Sequence, residues 1–190
     1  MTLTELLIPT LSHMLRGLSA WLDKAAAYEK SKGKDPDALM TLRLAPDMYP
    51  LAAQVRFVCY QAMEPAYRLR SEPIPEDVLA VQRDGWNAEQ RPGTFAEAKT
   101  CLANAIAFLD ALPGNALDAG EYIDISLSLP NGVVFDMTGE QYARDWLLAQ
   151  FYFHTNIAYG ILRQHGVELG KADYVAHVGK YLRPGTAPKG

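Results

Sequence analysis

One long helical pattern, between Gly139 and Gly166, constrains the fold of this chain most. Thr138 followed three residues later by Gln141 fits a capping box, which starts a helix near Gly139. Gly166 stands where a left-handed residue commonly ends a helix, so the helix would span about 27 residues, or roughly 40 Å. Its apolar stripe is wider than a single seam, which indicates a mostly buried helix. The stripe comprises Tyr142, Trp146, Leu147, Phe151, Phe153, Ile157, Ala158, Ile161 and Leu162.

Three other segments show the same helical period. The first covers residues 3–31 and contains Pro9, which either kinks the first turns or marks the true start. The second follows Asp47, the predicted N-cap, and has Pro50 in its first turn. The third begins at a second capping box, with Thr94 as the cap, and ends before Pro113. The chain therefore contains four long helices.

A change of period precedes the last helix. Apolar and polar residues alternate over residues 123–129, and an Asn-Gly turn at 131–132 leads into a second extended run, which predicts a β-hairpin. We expect one domain over residues 1–190: an all-α four-helix bundle with a small β-hairpin before the last long helix. Residues 72–93 form a long, proline-rich connection, interpreted as an insertion rather than a lid. A frayed tail is predicted for residues 184–190.

Composition excludes several classes of function. The net charge is −4 and no run of five lysines or arginines occurs, so a basic face for nucleic acid or anionic membranes is not expected. The N-terminal residues lack both a basic leader and a membrane-spanning apolar run, which predicts a cytoplasmic protein. Cys59 and Cys101 lie in helical patterns and are expected to be reduced, buried thiols.

Polar side chains inside the helical stripes mark the candidate site. Gln150 and His154 are four residues apart, so they stack on one face of the last helix. Gln54 lies in the apolar run of the second helix, and Asp47 precedes it by seven residues, about 10 Å along the axis. Each of these residues also has a purely structural interpretation. Gln54, Gln150 and His154 would then be core residues hydrogen bonded across the bundle, and Asp47 would be a helix cap. Together they favour a small polar cavity.

The remaining histidines do not complete a local metal site. His154 and His165 are eleven residues apart, about 16 Å along a helix, so they cannot share an ion. No H-x-x-x-H, H-E-x-x-H or C-x-x-C pattern occurs, and neither does a G-x-S-x-G or a phosphate-binding glycine loop.

Three segments resemble a known family. These are R-L-A-P-D-M-Y-P-L-A-A-Q-V at 43–55, T-F-A-E at 94–97 and F-H-T-N-I-A-Y-G-I-L-R-Q-H-G-V-E-L-G-K-A-D-Y at 153–174. The chain resembles an uncharacterised branch, itself a domain of unknown function, of the DinB and YfiT-like four-helix-bundle superfamily over about residues 3–175. The resemblance implies a DinB-like bundle.

Better-known members of that superfamily resemble metal-dependent hydrolases and thiol S-transferases that bind nickel or zinc through three histidines. In those members one histidine lies on the second helix and the other two form an H-x-x-x-H pair on the fourth. Alignment on Leu162-Arg163 places His154 on the second histidine of the pair, Gln150 on the first, and Gln54 on the second-helix histidine. Only His154 survives as a candidate ligand, and amide oxygens are poor ligands for borderline metals. The resemblance therefore implies a degenerate metal site with no resident cofactor, or at most a weakly held nickel or zinc ion.

Two functional interpretations follow. The favoured one is a protein that binds an unknown small molecule in an internal polar pocket. The alternative is an enzyme of the hydrolase or thiol S-transferase class, with His154 as a general base or as a lone metal ligand beside Asp47. Pairing of two copies into a homodimer through a helix face is compatible with either interpretation.

Overall fold

The computed structural model describes residues 1–186. Its helices are α1 (Leu3–Ser31), α2 (Leu51–Arg68), α3 (Glu76–Trp86), α4 (Phe95–Asp110), α5 (Gly139–Gln141), α6 (Leu148–Gln164) and α7 (Lys171–Tyr174), and its strands are β1 (Asp124–Ser128) and β2 (Val134–Thr138). Short 3₁₀ turns cover Pro36–Thr41, Asp118–Gly120 and Ala176–Tyr181, and a π-helical segment, Tyr142–Leu147, joins α5 to α6.

Four long helices form the bundle. Helices α1 and α2 each pack against both α4 and α6, and α3 packs on the outer side of α2. The interior is filled by leucines of α1, small and branched residues of α2, and large side chains from several elements. Of the large side chains, Trp21, Tyr142 and Phe151 are at most 1% exposed. The predicted all-α bundle with a small hairpin before the last long helix is confirmed. Pro9 lies inside α1, so it does not mark the start of that helix.

The hairpin pairs β1 and β2 antiparallel, with Ser126 opposite Asp136. Residues 129–133 join the strands, and the Leu129 amide donates to the Val133 oxygen across this loop at 2.8 Å. Gly132 in the loop has a φ of 85°, which a residue with a Cβ rarely adopts. Ile125 and Leu127 of β1 are buried, because this face of the hairpin packs onto the helices. A two-stranded hairpin is marginal alone, so this packing stabilises it.

The predicted long helix is present over residues 139–164, but it is not uniformly α-helical. Gly139 lies so close to the carbonyl oxygen of Gly120 that a Cβ would collide with it, and Gly166 closes the helix at a φ of 96°. One prediction about its buried face is wrong: Phe153 is 54% exposed. The face toward the core carries Phe151, Thr155, Ala158 and Leu162, and Phe153 points away from it.

The prediction for Asp47 as an N-cap is also wrong. Helix α2 begins at Leu51 with Pro50 as its N-cap, and no side chain caps it. The Leu51 amide instead donates to the backbone oxygen of Leu42, 2.8 Å away. This contact starts the helix later than predicted, and Asp47 lies exposed in the preceding turn.

The 72–93 connection contains the eleven-residue helix α3. Of the tail predicted to be frayed, residues 187–190 lie outside the described residues. Residues 183–186 form a turn closed by a 3.2 Å hydrogen bond from the Thr186 amide to the Arg183 oxygen. No helix within residues 1–186 is long and apolar enough to cross a membrane.

Candidate functional site

An open cavity of about 590 Å³ lies on the flank of the bundle, between α2 and the 139–164 helix. Helix α3 and the hairpin form its other two walls, so the 72–93 connection contributes directly to the enclosure. The lining residues are Tyr49, Phe57, Tyr60, Gln61, Glu64, Arg68, Ile74, Leu79, Gln82, Trp86, Leu127, Ser128, Leu129, Pro130, Trp146, Gln150 and His154.

At one end of the cavity, α2 and α6 are joined through His154, and we call this the histidine end. The ring atom Nδ1 of His154 lies 2.9 Å from Oε1 of Gln54. Gln54 is only 2% exposed, and its Nε2 donates to the Tyr49 backbone oxygen at 3.1 Å. Because that bond orients the amide, Oε1 accepts and Nδ1 of His154 carries the proton.

The imidazole of His154 is therefore held as a neutral acceptor. Burial lowers the pKa of His154 from 6.5 to about 4, so the ring is uncharged at neutral pH. Its Nε2 bears a lone pair, has no hydrogen-bond partner among residues 1–186, and is not sealed from solvent. Phe57 tilts against the ring with centroids 4.9 Å apart and limits its rotation.

The other end of the cavity carries a buried carboxylate, and we call it the glutamate end. Glu64 is 3% exposed, forms an ion pair with Nε of Arg68 one turn later, and accepts a hydrogen bond from the Tyr142 hydroxyl. Burial raises the pKa of Glu64 despite both partners, and burial beside Glu64 raises the pKa of Tyr60 to about 12. Gln54 and Glu64 are ten residues apart, so the two ends are separated by about 15 Å along α2.

The π-helical segment aligns both ends with the same partner helix. In a regular α-helix, Tyr142 and His154 would differ by about 120° in direction, because twelve residues exceed three full turns by a third of a turn. A π turn holds more residues and rotates less per residue. Over residues 142–147 this brings Tyr142 back toward α2, where it reaches Glu64 while His154 reaches Gln54.

Three of the four sequence-predicted site residues converge in this region. His154 and Gln54 are hydrogen bonded, and Gln150 lines the same cavity, partly buried. Gln54 supports the wall from behind rather than lining the cavity. Asp47 is not part of the site: it borders a separate surface depression with Arg43 and Glu89.

Sequence reasoning missed the glutamate end. Glu64 and Arg68 have the i, i+4 spacing of an ordinary surface ion pair, and Tyr142 was counted among the apolar residues of its helix. One signal was available, since Glu64 is a lone carboxylate between residues that are otherwise apolar over 62–66. Gln61 was also missed, and its Oε1 is buried without a hydrogen-bond partner in the described part of the chain.

The side chains at the histidine end do not fit a nickel or zinc ion. Among the described residues at this end, His154 is the only imidazole, and the Gln54 oxygen already accepts a hydrogen bond from Nδ1 of His154. Borderline metals bind neutral amide oxygens weakly. Within residues 1–186 no group of three or more His, Cys, Asp or Glu side chains is placed to hold a metal ion.

Comparison with known proteins gives similarity over nearly the whole chain. Residues 3–175 match the family described as Domain of unknown function (DUF1993). No curated protein matches the chain. A crystal structure described as a DinB family member protein from Shewanella denitrificans is 31% identical and superposes with a TM-score of 0.73, covering 98% of this chain and 96% of that chain.

Proposed function

We propose that this chain, which belongs to the DUF1993 family and has a DinB-like fold, binds a small organic molecule in the cavity between α2 and α6. The observation that carries the proposal is the fixed, neutral imidazole of His154 at the edge of that cavity. Its accepting atom, Nε2, has no hydrogen-bond partner among the described residues. An oriented acceptor without a donor favours a ligand that supplies one.

The size and lining of the cavity support this proposal. A volume of about 590 Å³ lies within the range of roughly 300–1,000 Å³ that is usual for small-molecule sites. Aromatic and aliphatic side chains form most of the wall, and a small number of polar groups project from it. This combination is typical of sites that bury an organic ligand and orient it.

An enzyme is the second candidate, because a neutral imidazole with a free Nε2 can accept a proton. A general base is most effective when its pKa is near the working pH. With a pKa of about 4, His154 is a weak base at neutral pH. The binding function therefore accounts better for the site than hydrolysis or thiol transfer does.

The proposal is tested by filling the cavity. A library of small aromatic and heteroaromatic fragments is screened by thermal shift against wild type, Gln150→Trp and Ala149→Trp. Gln150 lines the cavity, whereas Ala149 is exposed on the same turn of α6, so the second variant adds the same bulk outside the site. Fragments should stabilise wild type and Ala149→Trp but not Gln150→Trp. Absence of any fragment that binds wild type, or equal binding by Gln150→Trp, would refute the proposal.

Metal titration separates the binding protein from the enzyme alternative. Purified protein is dialysed against chelator and titrated with nickel and zinc while bound metal is measured. We expect no stoichiometric binding, because the donor set holds a single imidazole. Stoichiometric metal that is lost in His154→Ala would instead favour a metal-dependent enzyme.

A further inference from the structure

The charges around the cavity cancel. Of its lining residues only Glu64 and Arg68 carry a formal charge at neutral pH, and they form an ion pair with each other. His154 is neutral because burial lowers its pKa to about 4. A ligand with a net charge would lose its hydration on binding and would find no opposite charge in the cavity, which costs free energy. The cavity therefore selects against charged ligands.

The walls offer flat aromatic surfaces from different elements. Trp86 projects from α3 and Trp146 from the π-helical segment, and Tyr49 and Phe57 contact each other edge to face, 5.2 Å apart. Tyr49 and Trp86 line the cavity and are 45% and 41% exposed. Aromatic side chains pair with other rings by offset stacking or edge-to-face contact. Such walls favour a planar ligand.

The polar groups of the wall are neutral and amide-rich. Gln61, Gln82 and Gln150 line the cavity, and His154 adds an accepting nitrogen. A primary amide both donates and accepts, and it pairs in a bidentate manner with the edge of a heterocycle, as glutamine does with adenine. Gln61 also has a buried acceptor oxygen without a hydrogen-bond partner among residues 1–186.

We propose that the ligand is a neutral, flat nitrogen heterocycle of the nucleobase type, bound without a phosphate group. This inference rests on the proposed function of the cavity. Its ring stacks against the aromatic walls, and its edge bonds to the glutamine amides and to Nε2 of His154. A phosphate is disfavoured because the charge of Arg68 is balanced by Glu64, and among the described residues no other lysine or arginine lines the cavity.

Calorimetric titration tests the ligand class. Adenine, hypoxanthine, cytosine and uracil are titrated into the full-length protein, each beside its nucleoside 5′-monophosphate, with benzoate as a flat charged control. At least one base should bind, and its monophosphate and benzoate should bind about tenfold more weakly or worse. Gln150→Leu and, as a second variant, Gln82→Leu should each weaken base binding about tenfold, since each removes a bidentate pair. Ala149→Leu, which changes an exposed neighbour, should bind as wild type does.

The outcomes separate this inference from the function on which it rests. Binding of a monophosphate or of benzoate as tight as that of every base would overturn the ligand class and leave small-molecule binding intact. The same conclusion follows if library fragments bind in a Gln150-dependent manner but no base does. If neither fragments nor bases bind wild type, both the inference and the proposed function fail.

Discussion

The two ends of the cavity join α2 to the 139–164 helix with different chemistry. At each end a polar residue of α2 bonds to a residue of the 139–164 helix: Gln54 to His154, and Glu64 to Tyr142. The histidine end is uncharged at neutral pH, whereas the glutamate end contains a carboxylate that needs Arg68. The histidine end therefore leaves an atom free for a ligand, and the glutamate end uses most of its bonding capacity to keep its own charge buried.

Both ends also respond to protons, but in opposite directions. Burial lowers the pKa of His154 and raises that of Glu64. As pH falls below 6.5, the unfolded chain protonates His154 while the native state does not, so acid lowers the stability of the native state. As pH rises, the unfolded chain ionises Glu64 before the native state does, so stability falls in that direction. Mutations at the two ends should therefore separate these effects.

The largest expected effect is that of Glu64→Ala. This change leaves the Tyr142 hydroxyl without its partner and Arg68, whose side chain is 25% exposed, without a counter-charge. We expect a loss of about 3–4 kcal/mol in the free energy of unfolding, measured with urea. Glu140→Ala is the matched control, because Glu140 and Arg144 form an exposed pair of the same spacing, and it should cost about 0.5 kcal/mol or less. Equal costs for the two variants would show that the Glu64 pair behaves as a surface pair.

The pH dependence of stability should be next in size. Native His154 binds its proton only near pH 4, whereas the unfolded chain binds it near pH 6.5, so acid favours unfolding. We expect His154 to account for a loss of up to about 3 kcal/mol between pH 6.5 and 4, obtained by urea unfolding of wild type and His154→Gln at each pH. The contribution of Glu64 is common to both proteins and cancels in their difference. If that difference does not change with pH, His154 is not held neutral.

Tyr142→Phe should cost about 2 kcal/mol. It removes only the hydroxyl that donates to the buried Glu64 carboxylate, and hydrogen bonds to charged groups are stronger than neutral ones. Tyr159→Phe is the control, because the Tyr159 hydroxyl makes no hydrogen bond to the described residues. It should change stability by less than about 0.5 kcal/mol in the same urea experiment. A smaller loss for Tyr142→Phe than for Tyr159→Phe would contradict the proposed role of the Tyr142 bond.

Gln54→Leu should have the smallest effect, about 1 kcal/mol. Leucine has a similar volume and cannot accept from His154 or donate to the Tyr49 oxygen, and the two hydrogen bonds that are lost are between neutral groups and only partly buried. Nitrogen NMR of the His154 imidazole tests the role of Gln54 more directly, because it reports which ring nitrogen carries the proton. Wild type should show a single Nδ1–H tautomer, and the variant a mixture. A mixture already in wild type would show that Gln54 does not fix the ring.

Much of the fold was predictable because its signals are local. Capping boxes at Thr94 and Thr138 and the glycine at 166 gave helix ends, and all three are present. Asp47 failed as a cap because a tertiary contact, the Leu51 amide bound to the Leu42 oxygen, starts α2 instead. Such a contact between separate segments leaves no local pattern in the sequence.

The candidate site was predictable at one end only. Gln54, Gln150 and His154 stood out as polar residues within apolar stripes, and they lie together. Tyr142 could not be assigned to Glu64, because regular helical spacing directs it away from the face that carries His154. Only the π-helical segment brings it back, and backbone widening of this kind is not visible in an apolar pattern.

That widened turn also holds one residue more than a regular α-helix would need to bring Tyr142 and His154 to the same face. Removing one residue from its exposed side, such as Asp145, would let the backbone return to ordinary winding with Tyr142 and His154 eleven residues apart, or about 20° in direction, so Tyr142 would still face the Glu64 carboxylate. The contact between His154 and Gln54 would stay as it is, since it lies beyond the widened turn. The additional residue is thus stored where neither end of the cavity depends on its side chain, and its loss should leave both contacts to α2 in place.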